Sequence, residues 1–272
     1  MTNNLKIFAT DMDGTFLHAD RSYDLPRLER LLPKLEQQKA LFCAASGRQL
    51  LALHELFAPI KDRIAYVAEN GGVVALGEEL IFVKKFTQAQ ITELIKILRQ
   101  LPGGTDDLLI SGLKGAYLLD TASEAYYQKT LLYYANVQRI HKVADIKDDD
   151  LLKITTNFPE TEVQLREQEL NAQAPYVRAT TTGFTSIDII PAGISKATGL
   201  EALAQRFGLN ATNVVAFGDQ MNDLEMLKYA GTAVAVANAV PRLKAVASYS
   251  IGSNETDSVL TEMEHLIQQY YD

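Results

Sequence analysis

Acidic side chains gather at two points in this sequence, Asp11 with Asp13 and Asp219 with Asp223. Between them stand Ser46-Gly47-Arg48 and one lysine, Lys196. A carboxylate can attack phosphorus to give an acyl phosphate, which splits one hard hydrolysis into two easier displacements. Magnesium is a hard cation that takes a few protein oxygens, keeps several waters and bridges to phosphate, so a carboxylate cluster suits it. Lys196 and magnesium together would neutralise charge on a transferring phosphoryl group. Asp13, two residues beyond Asp11, falls where it can reach the leaving oxygen while Asp11 reaches phosphorus, and would serve first as general acid and then as general base. Turn amides after Asp11, that of Met12 first, and at Ser46-Gly47 can bind phosphate oxygens, with Gly14 and Gly47 permitting close backbone approach.

Each element alone has an ordinary reading. An isolated Asp-x-Asp is usually a polar turn, and Lys196 by itself would be a solvated lysine near a helix start. Their order along the chain gives the set its force. Gly193-Ile194-Ser195-Lys196-Ala197-Thr198 lacks the glycine spacing and the Lys-Ser/Thr pair of a P-loop, which excludes a nucleoside triphosphatase of that kind. His18, His54, His141 and His265 show no paired spacing for zinc. Asp148-Asp149-Asp150 reads as a solvated turn, because three consecutive carboxylates in a strand or helix cannot all face one ion. Tyr126-Tyr127 and Tyr133-Tyr134 read as core aromatics. Arg48 can assist a phosphate or cap local structure.

The motifs need a scaffold that brings them to one place. Leu5 to Thr10 is an apolar run ending in Asp11, Ala40 to Ala45 ends at Ser46, Ile64 to Ala68 ends at Glu69-Asn70-Gly71-Gly72, and Val214 to Phe217 ends at Gly218-Asp219. Such runs predict strands buried on both faces. Leu28, Leu31, Leu32 and Leu35 at helical spacing, a helix over 49–57, and helical patterns between Gly193 and Gly208 and up to Tyr229 alternate with them, which predicts a parallel sheet flanked by helices. Loops at the carboxyl ends of parallel strands converge on one crevice. The stretch 84–188 differs, with strand patterns Ala116–Leu119 and Leu152–Thr155 and helix patterns Gln88–Leu101 and Ala122–Tyr134. The expected architecture is α/β: a Rossmann-like core of 1–83 and 189–272 with an inserted α+β cap domain, 84–188.

The 272 residues are 47% hydrophobic, enough for a substantial core without disulfide or metal staples. A net charge of −8 disfavours nucleic acid and anionic membrane surfaces as partners. Cys43 is the only cysteine, reads as a small buried apolar residue, and suits a reducing compartment. With no signal-peptide pattern and no spanning helix, the expectation is a cytoplasmic protein. Nothing in the pattern sets an oligomeric state.

Asp11-Met12-Asp13-Gly14-Thr15, Ser46-Gly47-Arg48, Lys196, and Gly218-Asp219 with Asn222-Asp223 together resemble the four motifs of the haloacid-dehalogenase-like hydrolases. The insert between the second and third motifs, Glu69-Asn70-Gly71 and Ala237-Asn238-Ala239 are similar to the Cof-type branch. Within it, Ala9 to Leu17, Ser111-Gly112-Leu113 with Ala116-Tyr117, and Thr182-Gly183-Phe184 with Ile187-Asp188 resemble bacterial sugar phosphatases. The resemblance implies Asp11 as nucleophile, Asp13 as proton donor, Ser46 and Gly47 as phosphate contacts and Lys196 as the phosphate-clamping lysine. It implies Asp219, Asp11 and the main-chain carbonyl of Asp13 as magnesium ligands, Asn222 as a further phosphate contact, and Asp223 as a support behind the ligands. Val236-Ala237-Asn238 stands where many relatives have Met-Gly-Asn, a departure that touches the local loop shape. The implied activity is magnesium-dependent hydrolysis of a small phosphorylated metabolite, a sugar phosphate in the first place. A phosphotransferase or phosphomutase would use the same residues. A phospho-accepting signalling module also uses an Asp, a metal and a Lys on a parallel sheet, but the early Asp-x-Asp and the large insert argue against it.

Overall fold

The apolar runs become strands because each can be buried on both faces once helices cover the sheet. A computed structural model describes residues 6–182 and 185–271. Leu5, expected to open the first strand, and Gly183-Phe184 of the sequence signature lie outside the described residues. One compact unit comprises 1–47, 57–82 and 195–272, and a second comprises 48–56 and 83–194.

In the first unit, six strands lie parallel in the order Tyr249–Ser250, Thr232–Ala235, Val214–Gly218, Lys6–Thr10, Ala40–Ala45, Ala65–Ala68. Ile7, Phe8 and Ala9 at its centre are fully buried. Register brings the motifs level: Thr10 lies opposite both Phe217 and Ala44, so Asp11, Ser46 and Asp219 emerge from the same edge of the sheet. The helix Leu25–Gln37 buries Leu28, Leu31, Leu32 and Leu35, and Asp24 caps it by accepting from the Arg27 amide.

The sheet continues further than the alternating pattern indicated. After Ala65–Ala68 the chain reverses through Glu69–Gly71 and returns antiparallel as Val73–Leu76, with Glu79–Val83 beyond it. The reversal uses positive φ at Glu69 (51°), Asn70 (54°) and Gly71 (101°). Two of these are not glycine, a costly conformation that surrounding packing must hold.

The second unit has a six-stranded sheet in the order Val177–Thr182, Ser186–Pro191, Leu151–Asn157, Leu108–Gly112, Ala116–Leu119, Val137–Ile140, antiparallel except for its last pair. Ile91, Leu94, Ile95 and Leu98 of the helix Gln88–Gln100 belong to the core that takes in Leu108, Ile110, Ile154, Ile187 and Ile189. Leu109, Ala116 and Leu118, one residue out of phase with those strand positions, form a smaller cluster with Ala122 and Tyr126. The helix there spans only Glu124–Thr130, shorter than the Ala122–Tyr134 pattern suggested, and leaves Tyr133 exposed rather than in the core. Gln49, just before the helix Leu50–Leu56, is wholly buried, donating to the Gly112 and Gly115 carbonyls and accepting from the Ala135 amide. Among the described residues no helix is long and apolar enough to cross a membrane.

Candidate active site

Asp11 is the first residue past the central strand, its amide held by the Phe217 carbonyl at 3.0 Å and its side chain buried. Its Oδ1 accepts a hydrogen bond from Lys196 Nζ, which also donates to Asp223 Oδ1 at 2.6 Å. Lys196 is the first residue of the helix Lys196–Arg206, capped by Ser195. The turn at Gly71 presses on that cap so closely that a Cβ at Gly71 would stand 2.0 Å from the Ser195 carbonyl oxygen. In place of the solvated lysine that position alone suggests, Lys196 is 1% exposed.

Asp11, Asp219 and Asp223 can each offer a carboxylate oxygen within 4.8 Å of the others. Asp223 is already engaged: its Oδ2 accepts from the amides of Asp219 (3.0 Å) and Gln220 (3.1 Å), and its Oδ1 from Lys196. Asp219 accepts from the Thr15 hydroxyl at 2.9 Å, a contact the sequence reading did not foresee. Gly14 takes a positive φ of 82°, and a Cβ there would come within 2.7 Å of Asp219 Oδ2, so a side chain would intrude between the two acid-bearing loops.

With all groups ionised, three buried carboxylates face one ammonium, leaving two negative charges uncompensated. Burial, followed by the charge of Asp223, holds the Asp11 carboxyl well above its usual range, although Lys196 opposes this. Burial and then Asp223 raise Asp219 to about 6, against the opposing effects of the Thr15 hydrogen bond and Lys196. For Lys196, burial favours the neutral amine, but the charges of Asp11 and Asp223 and their hydrogen bonds win and push its pKa up. Carboxylates that resist ionisation for want of positive charge fit a hard divalent cation, and Asp11 and Asp219 could hold one.

The other expected residues are placed as follows. Met12 is buried, and its carbonyl accepts from the amides of Thr15, Phe16 and Leu17, which winds the loop after Asp11 into a tight turn. Asp13 is exposed on that turn. Ser46 is buried at the adjacent strand end, where its amide donates to the Val67 carbonyl at 2.8 Å. Asn222 lies half-buried on the turn Met221–Asp223. Two further asparagines, Asn238 and Asn254, bind the loop that follows Asp13. Asn254 carries no motif signal of its own, and its role depends on the tertiary fold.

A family model described as haloacid dehalogenase-like hydrolase matches residues 8–263. Over 266 residues, 97% of this chain and 97% of the other, the sequence is 30% identical to 5-amino-6-(5-phospho-D-ribitylamino)uracil phosphatase YbjI of Escherichia coli (strain K12). It is 29% identical over 248 residues to the HMP-PP phosphatase of Cronobacter sakazakii (strain ATCC BAA-894), covering 88% of this chain and 87% of that one. Among solved structures, SMU.1108c from Streptococcus mutans UA159 superposes with a TM-score of 0.88 at 28% identity, over 97% of this chain and 99% of the other. The HAD subclass IIB sugar phosphatase BT4131 shares the fold, with a TM-score of 0.78 at 19% identity, over 96% and 98% of the two chains.

Proposed function

The chain belongs to the haloacid dehalogenase-like hydrolases, in their Cof-type branch, and is a phosphoric monoester hydrolase; from that premise we propose that it hydrolyses small phosphorylated sugars or sugar alcohols through an aspartyl-phosphate on Asp11. The observation that carries the reading is the Asp11 carboxylate, buried at the end of the central strand and bound to Lys196, with two further aspartates alongside. The substrate class is supported by the sequence signatures shared with sugar phosphatases and by a relative whose named substrate carries its phosphate on a ribityl chain.

In this reading Asp11 attacks phosphorus in line with the leaving oxygen, and Lys196 holds the phosphoryl oxygens against the repulsion of the acids. The Ser46 hydroxyl, the amides of Met12 and Gly47, and Asn222 take the remaining phosphate contacts. Asp13 gives a proton to the departing alkoxide and then recovers one from the water that attacks the aspartyl-phosphate. Asp223, saturated by Lys196 and two amides, fixes the lysine and the Asp219 loop. Asp11, Asp219 and the Asp13 carbonyl would hold magnesium, which supplies charge neutralisation at the transferring phosphoryl group.

Residues 84–188 act as the cap, with Ser111 to Tyr117 and Gly183 to Asp188 setting the ranking among metabolites. A single cysteine, buried at Cys43, and the −8 charge support a cytoplasmic enzyme of free metabolites. The test is phosphate release from a panel of sugar and alditol phosphates, with and without magnesium. Turnover concentrated on that class and abolished by chelation is expected. Full activity after exhaustive chelation, or a preference for phosphoproteins or nucleotides, would overturn the proposal.

A further inference from the structure

Asp13 is exposed, and the backbone turn that carries it sets where its side chain starts from. That turn is gripped from outside by two amide side chains. Asn238 Nδ2 donates to the Gly14 carbonyl at 2.7 Å, and Asn254 Nδ2 donates to the Leu17 carbonyl at 2.9 Å. The two asparagines are joined, since the Asn254 amide N–H donates to Asn238 Oδ1 at 3.4 Å. The loop bearing Asn238 also holds the other acid loop, through the Val240 N–H to the Asp219 carbonyl at 2.9 Å. From inside, the Met12 carbonyl collects three amides of the same turn and the Thr15 hydroxyl ties it to Asp219.

The Gly14 peptide thus has a fixed orientation, at a φ of 82° that the site's crowding leaves to glycine. An amide suits the outer position. It supplies a directed donor without adding charge to an acid-rich site, whereas a lysine there would compete for the carboxylates and a carboxylate would repel the Gly14 carbonyl.

We propose that Asn238 is a positioning residue for proton transfer, holding the Asp13 turn in the orientation that the general acid and base steps require. This rests on the reading of Asp13 as the proton donor. Because Asn238 is itself exposed, its replacement should leave folding intact.

The experiment compares Asn238→Ala, Asn238→Ser, Asp13→Asn and the Asp13→Asn/Asn238→Ala double variant, all with magnesium. An alkyl ester, ribose 5-phosphate, is set against the pre-steady-state burst from p-nitrophenyl phosphate, whose leaving oxygen departs with little protonation. Asn238→Ala is expected to lose roughly 10- to 100-fold in kcat on the alkyl ester, a large part of what general acid catalysis contributes, while its aryl burst rate stays within about threefold. The double variant should lose no more on the alkyl ester than Asp13→Asn alone, since the two residues act through one group. Equal losses on both substrates, or losses that multiply in the double variant, would overturn the role of Asn238 while leaving Asp13 in place. If Asp13→Asn itself failed to separate alkyl from aryl substrates, the proton-donor reading would fall and this inference with it. Asn238→Ser repeats the comparison with a smaller side chain, so the outcome does not depend on the folding of one variant.

Discussion

Lys196 and Lys153 are both 1% exposed and both face aspartates, yet their surroundings differ in charge. Lys196 binds two carboxylates, Asp11 and Asp223, with a third, Asp219, close by, and burial together with mutual repulsion raises the pKa of Asp11 and Asp219. Lys153, in the sheet of the second unit, stands 3.3 Å from a carboxylate oxygen of Asp188. Asp188 accepts from the Thr155 hydroxyl, Thr155 meets the Tyr134 hydroxyl, and the Tyr134 ring lies 5.5 Å from the ammonium. The strand-end cluster, with three carboxylates around one ammonium, is two positive charges short when all are ionised, whereas Lys153 faces Asp188 amid hydroxyl and aromatic partners. On the proposed reading the difference separates a site that receives a cation and a phosphate from a polar peg between strands, although burial and residue types are alike.

The comparison is broken most decisively if the two aspartates prove equivalent. Asp11→Asn should cut p-nitrophenyl phosphate turnover by about 10⁴-fold or more, because the amide is a poor nucleophile and a weaker cation ligand, while Asp188→Asn should leave it within about threefold. Steady-state kinetics on the two variants decide the matter. Lys196→Ala should cost about 10³-fold in kcat/KM, as the phosphoryl charge loses its partner. Lys153→Met should barely change that constant, but should cost roughly 3–5 kcal/mol of stability by stranding Asp188, measurable by denaturant unfolding. Replacing both members, Lys153→Met/Asp188→Leu, should recover most of that loss, as apolar replacements of buried ion pairs often do. A double variant no more stable than the single one would show that the peg carries more than its charge balance.

Much of this contrast was legible beforehand on one side only. The apolar runs ending at Asp11, Ser46 and Asp219 predicted which residues leave the sheet together, because burial on both faces forces such runs into central strands. The burial of Lys196 had no local signal: its ammonium lies between Asp11 and Asp223, the first of them 185 residues away in sequence. Thr15 and Asn254 likewise owe their roles to the tertiary fold. The pairing of Lys153 with Asp188 depends on register, since Asp188 lies opposite Thr155 and one step diagonal to Lys153. The strands Val73–Leu76 and Glu79–Val83 were missed because the chain turns back into them through strained Glu69 and Asn70, residues that do not advertise a positive φ.

The smallest expected effect follows from the missing positive charge. In magnesium-free protein Asp219 sits at about 6 against an ordinary value of 3.8. A carboxyl raised on folding gives stability that is complete below the unfolded pKa and is lost as pH climbs through the folded one. Chelated protein should therefore gain about 1 kcal/mol, ~2–4 °C in Tm, on going from pH 7.5 to 5.5, beyond any change seen in Asp219→Asn. Magnesium should narrow that gap. A Tm difference identical in the two proteins would place Asp219 outside the repulsive cluster.

The central claim is that phosphate passes through Asp11. The direct measurement is rapid-quench of Asp13→Asn with p-nitrophenyl phosphate and magnesium, followed by acid trapping and peptide mass analysis. This variant should still accept the phosphoryl group but regenerate slowly. The account predicts a burst of about one equivalent of nitrophenol per active site, with a single phosphoryl group on the peptide containing Asp11. Nitrophenol and phosphate released in step with no burst and no adduct, or an adduct on any other residue, would contradict it.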